Sequence, residues 1–295
     1  MNDPLSVSVI GPGALGQAMI DLVRRHPGFN IRSVWGRTQS ENYFFRTSDH
    51  KVQANQLFPS KDSDLGRLII ISIPDDQIKT LAERLSEAGI SWNNRYVIHL
   101  SGSMDSSILE PLATKGAHIG SLHPLQTFTR GDTADKFEGI WFTMQGNDAI
   151  ISILDQLIAS CDGQRKILSS SQKSAMHLAA VFASNYLVAL MDVVENITKD
   201  SDINDGLKML EPIVQQTVRN INSKGSKKSL SGPVARGDTS TIEKHLEQLE
   251  KNPGYQKLYC QLGLQASEIA KESGQIEKSK FDTIRELFET VSKKK

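Results

Sequence analysis

The sequence contains little cysteine and no surplus of either charge, and these two absences exclude several classes of protein. Its two cysteines, Cys161 and Cys260, cannot form a disulfide framework and lie in no metal-binding spacing. The 34 basic and 34 acidic residues balance, so no global field draws the chain to nucleic acid or to an anionic membrane. We therefore expect no nucleic-acid partner and no metal site.

A long apolar run is missing as well. The apolar stretch at residues 68–73 has the length of a strand and is far too short to span a membrane. The first residues lack the basic segment and cleavage site of a signal peptide. An apolar fraction of 38% is typical of a globular chain. These features predict a cytoplasmic protein that contacts no membrane.

The first half of the sequence alternates short β-branched runs with helical patterns, which predicts an α/β fold with a doubly wound, Rossmann-like parallel sheet. The expected strands are at residues 7–10, 31–35, 68–73, 96–100, 117–122 and 139–145, the last one ending the sheet. The expected helices of this half are at residues 16–25, 76–88, 107–114 and 148–160, the third with a capping box formed by Ser107 and Glu110.

From about residue 169 long helical patterns replace the strands. They cover residues 173–198, 205–222, 239–251, 255–273 and 280–293, with a loop predicted at 223–236. We therefore expect two domains, a dinucleotide-binding domain at 1–160 and an all-helical domain for substrate binding and dimerisation at 161–295. The helix at 173–198 is apolar nearly all round, which predicts the buried core helix of the second domain.

The segment after the first strand has the GxGxxG spacing of dinucleotide-binding turns. It consists of Gly11, Pro12, Gly13, Ala14, Leu15 and Gly16. Because it follows a predicted strand and opens a predicted helix, Gly11 would allow the tight turn, Gly13 the approach of a pyrophosphate, and Gly16 close helix–strand packing. The helix N-terminus would then face the phosphates. A plain glycine-rich turn is the alternative.

The end of the second predicted strand selects between NAD and NADP. NAD sites usually place an acidic side chain here, about 20 residues past the glycines, to bind the ribose 2′-hydroxyl. This sequence has Arg37 and Thr38 instead. A guanidinium pairs with a 2′-phosphate and a hydroxyl donates to it, so we predict NADP as the cofactor. The alternative is a surface arginine in a turn.

Further candidates follow the ends of the central strands, where open α/β sheets bind ligands. Ile73 and Pro74 are expected to line the cofactor. A helix capped by Asp75 or Asp76 is the alternative, and both can hold together. Ser101 and Ser103 would lie near the nicotinamide end, with a simple turn as the alternative. His99, inside a strand, is interpreted as a satisfied core histidine.

His123 is the first candidate for a proton donor, because it ends a strand at the same edge and an imidazole titrates near neutral pH. A histidine that only caps the strand is the alternative. In the long helix, His177, Ser184 and Asn185 share one polar stripe, which predicts a cleft-facing surface or a contact with another helix or a dimer partner. Asp192 and Glu195 are expected to serve packing or to face solvent.

A last candidate lies in the loop before the helix at 239–251. Arg236 would hold an anionic group of the substrate or a cofactor phosphate, whereas Asp238 is expected to cap that helix.

Several of these segments together resemble an uncharacterised two-domain family. They are VSVIGPG at 7–13, HLSG at 99–102, GSLHPL at 120–125, HLAAVFASN at 177–185 and SGPVARGD at 231–238. Its members join a Rossmann-like NAD(P)-binding domain to a helical domain of unknown function of the DUF2520 type. More distantly the sequence is similar to pyrroline-5-carboxylate reductase, deazaflavin-dependent NADP reductase and prephenate dehydrogenase; in the last, the histidine of a His-Pro pair like His123–Pro124 contacts substrate. Unlike 3-hydroxyisobutyrate dehydrogenases, the chain has Val181, not lysine, four residues before Asn185.

The sequence thus predicts an NADP(H)-dependent oxidoreductase that transfers hydride between nicotinamide and a small carbonyl, imine or hydroxy compound bound between the domains. His123 would give the proton, His177 and Asn185 would orient the substrate, and Ser103, Ser184 and Arg236 would bind it. A homodimer through the helical domain is expected. The alternatives are a non-catalytic NADP-binding sensor or assembly protein and, less favoured, an α/β protein that binds no nucleotide.

Overall fold

The computed structural model describes residues 3–36, 44–46, 51–55 and 59–293, with the backbone alone for 44–46 and 51–55. The chain divides into two compact units, Met1–Tyr186 and Leu187–Lys295. The predicted division at residue 160 differs from this one, because the first turn of a long helix that begins at Ser170 hydrogen-bonds to residues of the first unit.

The first unit is an α/β structure. Its strands are β1 (Leu5–Ile10), β2 (Phe29–Trp35), β3 (Phe44–Arg46), β4 (Lys51–Asn55), β5 (Leu68–Ile71), β6 (Tyr96–His99), β7 (His118–Pro124), β8 (Trp141–Gly146) and β9 (Gln164–Ile167). Its helices are α1 (Ala14–Arg25), α2 (Asp75–Glu87), α3 (Glu110–Ala113), α4 (Asp148–Ala159) and α5 (Ser170–Ala183), with 3₁₀ turns at Asp62–Asp64, Ser106–Leu109 and Ala134–Phe137. The predicted capping box of Ser107 and Glu110 is wrong, because the Asp105 side chain caps the 3₁₀ turn that precedes α3.

The described strands form one sheet in the order β3-β4-β2-β1-β5-β6-β7-β8-β9. The direction of winding reverses between β1 and β5, which creates the crevice where Rossmann-like sheets bind ligands. The Rossmann-like prediction is confirmed for the sheet core, in which β2, β1, β5, β6 and β7 run parallel.

The sheet is mostly parallel, as predicted, but β8 runs antiparallel to β7. The connection between them contains a 3₁₀ turn instead of a crossover helix, so the chain returns along the same edge. The prediction that β8 ends the sheet is also wrong. The additional strand β9 escaped the pattern because all four of its residues are exposed.

Two apolar cores cover the two faces of the sheet. On one face Val9, Ile70 and Ile98 are fully buried against α1 and α4. On the other face Ile69, Ile71 and Val97 are fully buried against α2 and α3. The run at 68–71 is therefore buried on both sides, as its unbroken apolar pattern predicts. Polar residues continue the second face at the carboxyl ends of β6 and β7.

The described part of the second unit contains helices and no strands. It holds most of α6 (Asn185–Lys199), then α7 (Gly206–Lys224), α8 (Ser226–Ser229), α9 (Pro233–Arg236), α10 (Thr239–Gln248), α11 (Pro253–Glu272) and α12 (Lys278–Lys293). Its core joins Val234 of α9, Ile242 of α10, Cys260 of α11 and Phe288 of α12. The predicted loop at 223–236 contains the two short helices α8 and α9. The glycines and serines of this segment are typical of a loop, so the pattern did not indicate these helices.

The prediction of one buried core helix at 173–198 is wrong. The backbone of Ser184 leaves the helical region and separates α5 from α6, and α6 buries none of its residues. The apolar pattern of α6 is typical of a core helix, but apolar side chains also occur at interfaces between proteins. By length and composition alone, Ser170–Lys199 is apolar enough to cross a membrane.

Candidate functional site

The turn between β1 and α1 has the geometry that binding a dinucleotide requires. Gly11 has a positive φ of 93°, and a Cβ at this position would overlap the carbonyl oxygen of Ser72. A Cβ on Gly16 would overlap the carbonyl oxygen of Gly11, so the helix packs directly on the turn. At Gly13, in contrast, a Cβ would meet no described atom within 4 Å. Gly11 and Gly16 are therefore needed for packing, whereas no described residue beyond its neighbours covers Gly13.

Helix α1 presents the N-terminus that phosphates require. It begins at Ala14, with Gly13 as an N-cap that provides no side-chain acceptor. Leu15 follows in the first turn, and the Gln17 amide donates to the carbonyl oxygen of Pro12 at 3.1 Å, which fixes the turn. Unpaired N–H groups and the positive end of the helix dipole favour an anion. The turn therefore fits the diphosphate of NAD(P).

Gly36 also supports this turn, although the sequence pattern alone did not indicate a role for it. A Cβ on Gly36, after β2, would lie 2.9 Å from Cδ of Pro12, so the end of β2 packs on the glycine turn. The signal was its place directly before Arg37. Arg37 and Thr38, the predicted selectors of NADP, lie outside the described residues.

Ile73 and Pro74 follow β5 at the edge of the crevice, and Ile73 lies within contact of Gly11. The predicted cap of α2 by Asp75 or Asp76 is wrong, because Pro74 is the N-cap and no side chain caps the helix. Asp75 instead accepts a hydrogen bond from the Ser103 hydroxyl at 2.6 Å. The Asp75 carboxylate thus caps no helix and instead contacts the turn that follows β6.

Ser101 stabilises the turn that follows β6. Its hydroxyl oxygen accepts hydrogen bonds from the backbone N–H of Ser103 at 3.2 Å and of Met104 at 3.0 Å. Ser101 therefore holds a turn, which was the alternative to a contact with the ligand. This turn places the Ser103 side chain against Asp75. A ligand role for either serine remains a prediction.

His123, near the end of β7, is held in one tautomer. Its Nδ1 donates to the carbonyl oxygen of Leu100 at 3.1 Å, so Nε2 carries the lone pair of the neutral ring. Burial lowers the pKa of His123 to about 4, and the Lys173 ammonium acts in the same direction. The lowered pKa differs from the expected titration near neutral pH and favours a neutral ring with the lone pair on Nε2.

His99 is only half satisfied. Its Nε2 donates to the carbonyl oxygen of Asp105 at 3.2 Å, but its buried Nδ1 has no partner among the described residues. Burial and then Lys173 lower the pKa of His99 to about 4. The interpretation as a satisfied core histidine is therefore correct for one nitrogen and wrong for the other.

The imidazole rings of His177, on α5, and His123, on β7, lie next to each other. Their ring centroids are 6.2 Å apart, and the two rings converge above Gly102. A Cβ there would lie 2.7 Å from Nε2 of His123 and 2.7 Å from Nδ1 of His177. The buried Nδ1 of His177 has no hydrogen-bond partner among the described residues. Gly102 is thus required for the approach, and two imidazole nitrogens point into one small space.

Lys173 is the functional candidate that the sequence analysis missed. It is 2% exposed although it is charged, and its Nζ donates to the Ser121 hydroxyl at 3.1 Å. Burial lowers the pKa of Lys173 to about 8, against the opposing effects of Asp105 and Asp75. The signal in the sequence was a lysine four residues before His177, which places both side chains on one face of the helix.

A directed chain of hydrogen bonds connects Lys173 to Asp105. The Ser121 hydroxyl donates to Oε1 of Gln145 at 3.3 Å, and Nε2 of Gln145 donates to Asp105 at 3.0 Å. Asp105 also accepts from the Ser170 hydroxyl. These donors, Ser170 first, lower the pKa of Asp105 to about 2. The Asp105 carboxylate therefore accepts its hydrogen bonds from protein donors, and through Ser170 it connects the N-terminus of α5 to the sheet.

The other predicted residues lie further away or in the second unit. Ser184 ends α5 and Asn185 begins α6, about two helical turns beyond His177. Because the helix breaks at Ser184, these residues do not continue one straight stripe. Arg236 is exposed on α9 in the second unit. The Asp238 side chain accepts from the backbone N–H of Thr241, which confirms the predicted cap of α10.

Two domain families match the chain. Residues 2–124 match the Rossmann-like domain, and residues 140–266 match DUF2520, a domain of unknown function. The expected combination of a Rossmann-like N-terminal domain with a DUF2520 C-terminal domain is confirmed. Among curated proteins no sequence matches the chain significantly.

Solved structures of oxidoreductases share the fold. A Bacteroides fragilis protein provisionally assigned as an NADP oxidoreductase has a TM-score of 0.72 at 21% identity, covering 90% of this chain and 98% of its own. Pyrroline carboxylate reductase of Plasmodium falciparum, with NADP bound, has a TM-score of 0.58 at 12% identity, covering 92% and 98%. An imine reductase of Myxococcus stipitatus in complex with NADP⁺ has a TM-score of 0.55 at 13% identity, covering 95% and 99%.

The expected similarity to prephenate dehydrogenase is also present at the level of the fold, with a TM-score of 0.50 for the Aquifex aeolicus protein. All these identities are low, so the similarities establish a common fold and leave the reaction of this chain open.

Proposed function

We propose that the protein is an NADP(H)-dependent oxidoreductase that transfers hydride between nicotinamide and a small carbonyl, imine or hydroxy compound. The observation that carries the proposal is the contrast within the glycine turn. Gly11 and Gly16 have no room for a side chain, whereas a Cβ on Gly13, beside an uncapped helix N-terminus, would approach no described residue other than its chain neighbours. A turn needed only for packing gives no reason for that opening.

The polar groups at the ends of β5, β6 and β7 support a reaction centre in the same crevice. When bound, the dinucleotide supplies or accepts the hydride. The chain supplies Nε2 of His123 and Nδ1 of His177, which converge above Gly102, and the Asp75 carboxylate beside Ser103. Asn185, Ser184 and Arg236 remain proposed contacts of the substrate.

The preference for NADP rests on Arg37 and Thr38, which stand where NAD sites have an acidic residue. A thermal-shift titration with NADPH and NADH in parallel tests it. We expect NADPH at 100 times its dissociation constant to add about 2.7 kcal/mol to the free energy of unfolding, enough to raise Tm by several degrees, and NADH to have little effect. Equal shifts would contradict the role of Arg37, and no shift would contradict the dinucleotide site.

A non-catalytic NADP-binding sensor or assembly protein is the second candidate. It is favoured by α6 and α7, which bury almost none of their residues within the chain. Oxidation of NADPH that depends on an added ketone or imine would decide for the enzyme, because a sensor binds NADPH without consuming it.

We further propose that the protein is cytoplasmic and that it forms a homodimer through α6 and α7. Apolar side chains are exposed along both helices, among them Val188 at 70% and Ile213 at 63%. Apolar surface of this extent marks an interface. A second copy suits it better than a membrane, because Asp192 and Glu195 interrupt α6 and charged side chains are costly in hydrocarbon.

Light scattering tests the dimer. We expect a mass of about twice the 32.6 kDa of one chain. Ile213→Glu should halve that mass, because it places a charge in an apolar contact. Leu262→Glu, at an exposed apolar residue of α11, is the matched control and should leave the mass unchanged. A wild-type mass near that of one chain would contradict the dimer, and binding to lipid vesicles would favour the membrane instead.

A further inference from the structure

Two imidazole nitrogens face one small space at the carboxyl ends of β6 and β7. Nε2 of His123 and Nδ1 of His177 each lie 2.7 Å from the same point, the position that a Cβ on Gly102 would take. The two nitrogens are therefore at most twice that distance apart. No hydrogen bond joins them, because Nδ1 of His177 has no partner among the described residues. One ligand atom that is hydrogen-bonded to both nitrogens fits such a separation.

The hydrogen bond between His123 and Leu100 decides what His123 offers to a ligand. A backbone carbonyl oxygen only accepts, so Nδ1 of His123 donates to it, at 3.1 Å, and holds the proton of the neutral ring. Burial lowers the pKa of His123 to about 4, so a second proton, on Nε2, is disfavoured. Nε2 of His123 therefore faces the space as a hydrogen-bond acceptor.

His177 differs from His123 because no protein group fixes its tautomer. Its buried Nδ1 has no partner in the described part of the chain, while the residue as a whole is only half-buried, so other atoms of His177 reach solvent. Two lone pairs that face one space repel each other. Opposite the acceptor of His123, the ring of His177 is therefore better placed with its proton on Nδ1, as a donor.

We propose that His177, not His123, gives the proton to the substrate, and that Nε2 of His123 accepts a hydrogen bond from the group so formed. The inference rests on the proposed function. In the reductive direction the substrate carbon takes the hydride from the reduced nicotinamide dinucleotide, and the electron pair of the C=O or C=N double bond moves to the oxygen or nitrogen. The Nδ1–H bond of His177 breaks as its proton bonds to that atom, and Nε2 of His177 takes a proton from solvent.

The reduced product is more complementary to the two imidazoles than the substrate is. A hydroxyl or a secondary amine donates one hydrogen bond and accepts another, which matches the acceptor of His123 and the donor of His177. A ketone oxygen only accepts, so Nε2 of His123 gains its partner only as the proton arrives. Interactions that form during the reaction lower its barrier, whereas interactions already present in the bound substrate do not.

Long-range nitrogen–proton correlation NMR of the full-length protein, without any ligand, reads the proton on each ring nitrogen. The chain has 7 histidines, and His123→Gln and His177→Gln assign the two rings. At pH 7 we expect a proton on Nδ1 and none on Nε2 of His123, and a proton on Nδ1 of His177. A proton on Nε2 of His123, or a His177 ring that is protonated at Nε2 alone, would overturn the inference.

Turnover then separates the two histidines, measured as oxidation of NADPH that depends on an added ketone or imine. His177→Gln should lower the turnover number by about 10²- to 10⁴-fold, the usual effect of losing a proton donor. His123→Gln keeps an acceptor oxygen and should lower it by less than about 10-fold. Ser174→Ala removes an exposed side chain of the same helix and should leave it unchanged.

All three variants should keep the rise in Tm with NADPH, which shows that the dinucleotide site is intact. A larger loss of turnover in His123→Gln than in His177→Gln would overturn the inference. A wild type that binds NADPH but reduces no ketone or imine would contradict the proposed function instead, and the NMR result, which needs no ligand, recognises the two failures separately.

Discussion

Replacing Gly13 by Val is expected to remove most of the stabilisation by NADPH, while the free protein loses at most about 1 kcal/mol because valine is a poorer N-cap than glycine. The backbone of Gly13 is extended, with φ −70° and ψ −166°, so a β-branched residue adopts it without strain. No described atom lies within 4 Å of the new Cβ. The isopropyl group would occupy the space through which the pyrophosphate approaches the helix N-terminus.

The size of this effect follows from mass action. If the substitution weakens binding by about 100-fold, an NADPH concentration that adds about 2.7 kcal/mol to the wild type adds only about 0.4 kcal/mol to the variant. A thermal-shift titration measures both quantities, the Tm of the free protein and its rise with NADPH.

Gly16→Ala should give the opposite profile. Its Cβ would overlap the carbonyl oxygen of Gly11, so the free protein should lose stability before any ligand is added. Gly254→Val is the matched control, because Gly254 lies in the first turn of α11 and a Cβ there comes no closer than 3.7 Å to another described atom. A Gly13→Val protein that still responds fully to NADPH would exclude this turn as the phosphate site.

The glycine turn could be predicted from the sequence because its determinants are local. Gly11 to Gly16 lie within one turn, and the strand before and the helix after it have their own patterns. His123 could be placed at a strand end for the same reason. Its tautomer could not, because it depends on the carbonyl of Leu100, 23 residues away along the chain.

Lys173 escaped prediction because its burial depends on long-range register. Its partner Ser121 is 52 residues away, and their contact requires α5 to cover β7 at one particular turn. The apolar run that follows Lys173 predicted a core helix, and a lysine at the polar start of such a helix is usually exposed. Helical periodicity does not distinguish a face that covers a sheet from one that awaits a partner, so α6 was misread for the same reason.

Replacing Lys173 by Met is expected to stabilise the protein at pH 7. Burial lowers the pKa of Lys173 from 10.5 to about 8, so the folded state opposes the ammonium by roughly 3 kcal/mol. Methionine has a similar length and no charge. Loss of the hydrogen bond to Ser121 destabilises the variant by about 1 kcal/mol. The free energy of unfolding should therefore rise by a net amount on the order of 2 kcal/mol.

The pH dependence identifies the cause of this gain. The folded-state pKa lies below the unfolded one, so between about pH 8 and 10.5 the unfolded wild-type chain binds more protons than the folded chain at this residue. The contribution of Lys173 to wild-type stability therefore improves as the pH rises through that range. The advantage of the variant should be full at pH 7 and largely gone by about pH 10.

Urea unfolding of both proteins at pH 7 and pH 10 measures the difference. Lys79→Met removes an exposed lysine of α2 and is the control that should match the wild type at both pH values. A Lys173→Met protein that is less stable than the wild type at pH 7 would show that Asp75, Asp105 and Ser121 more than compensate the burial. The expected result instead identifies Lys173 as a residue that lowers the stability of its own fold. Strongly perturbed buried charges cluster at functional sites, and the imidazoles of His123 and His177 lie along the same contact between α5 and β7.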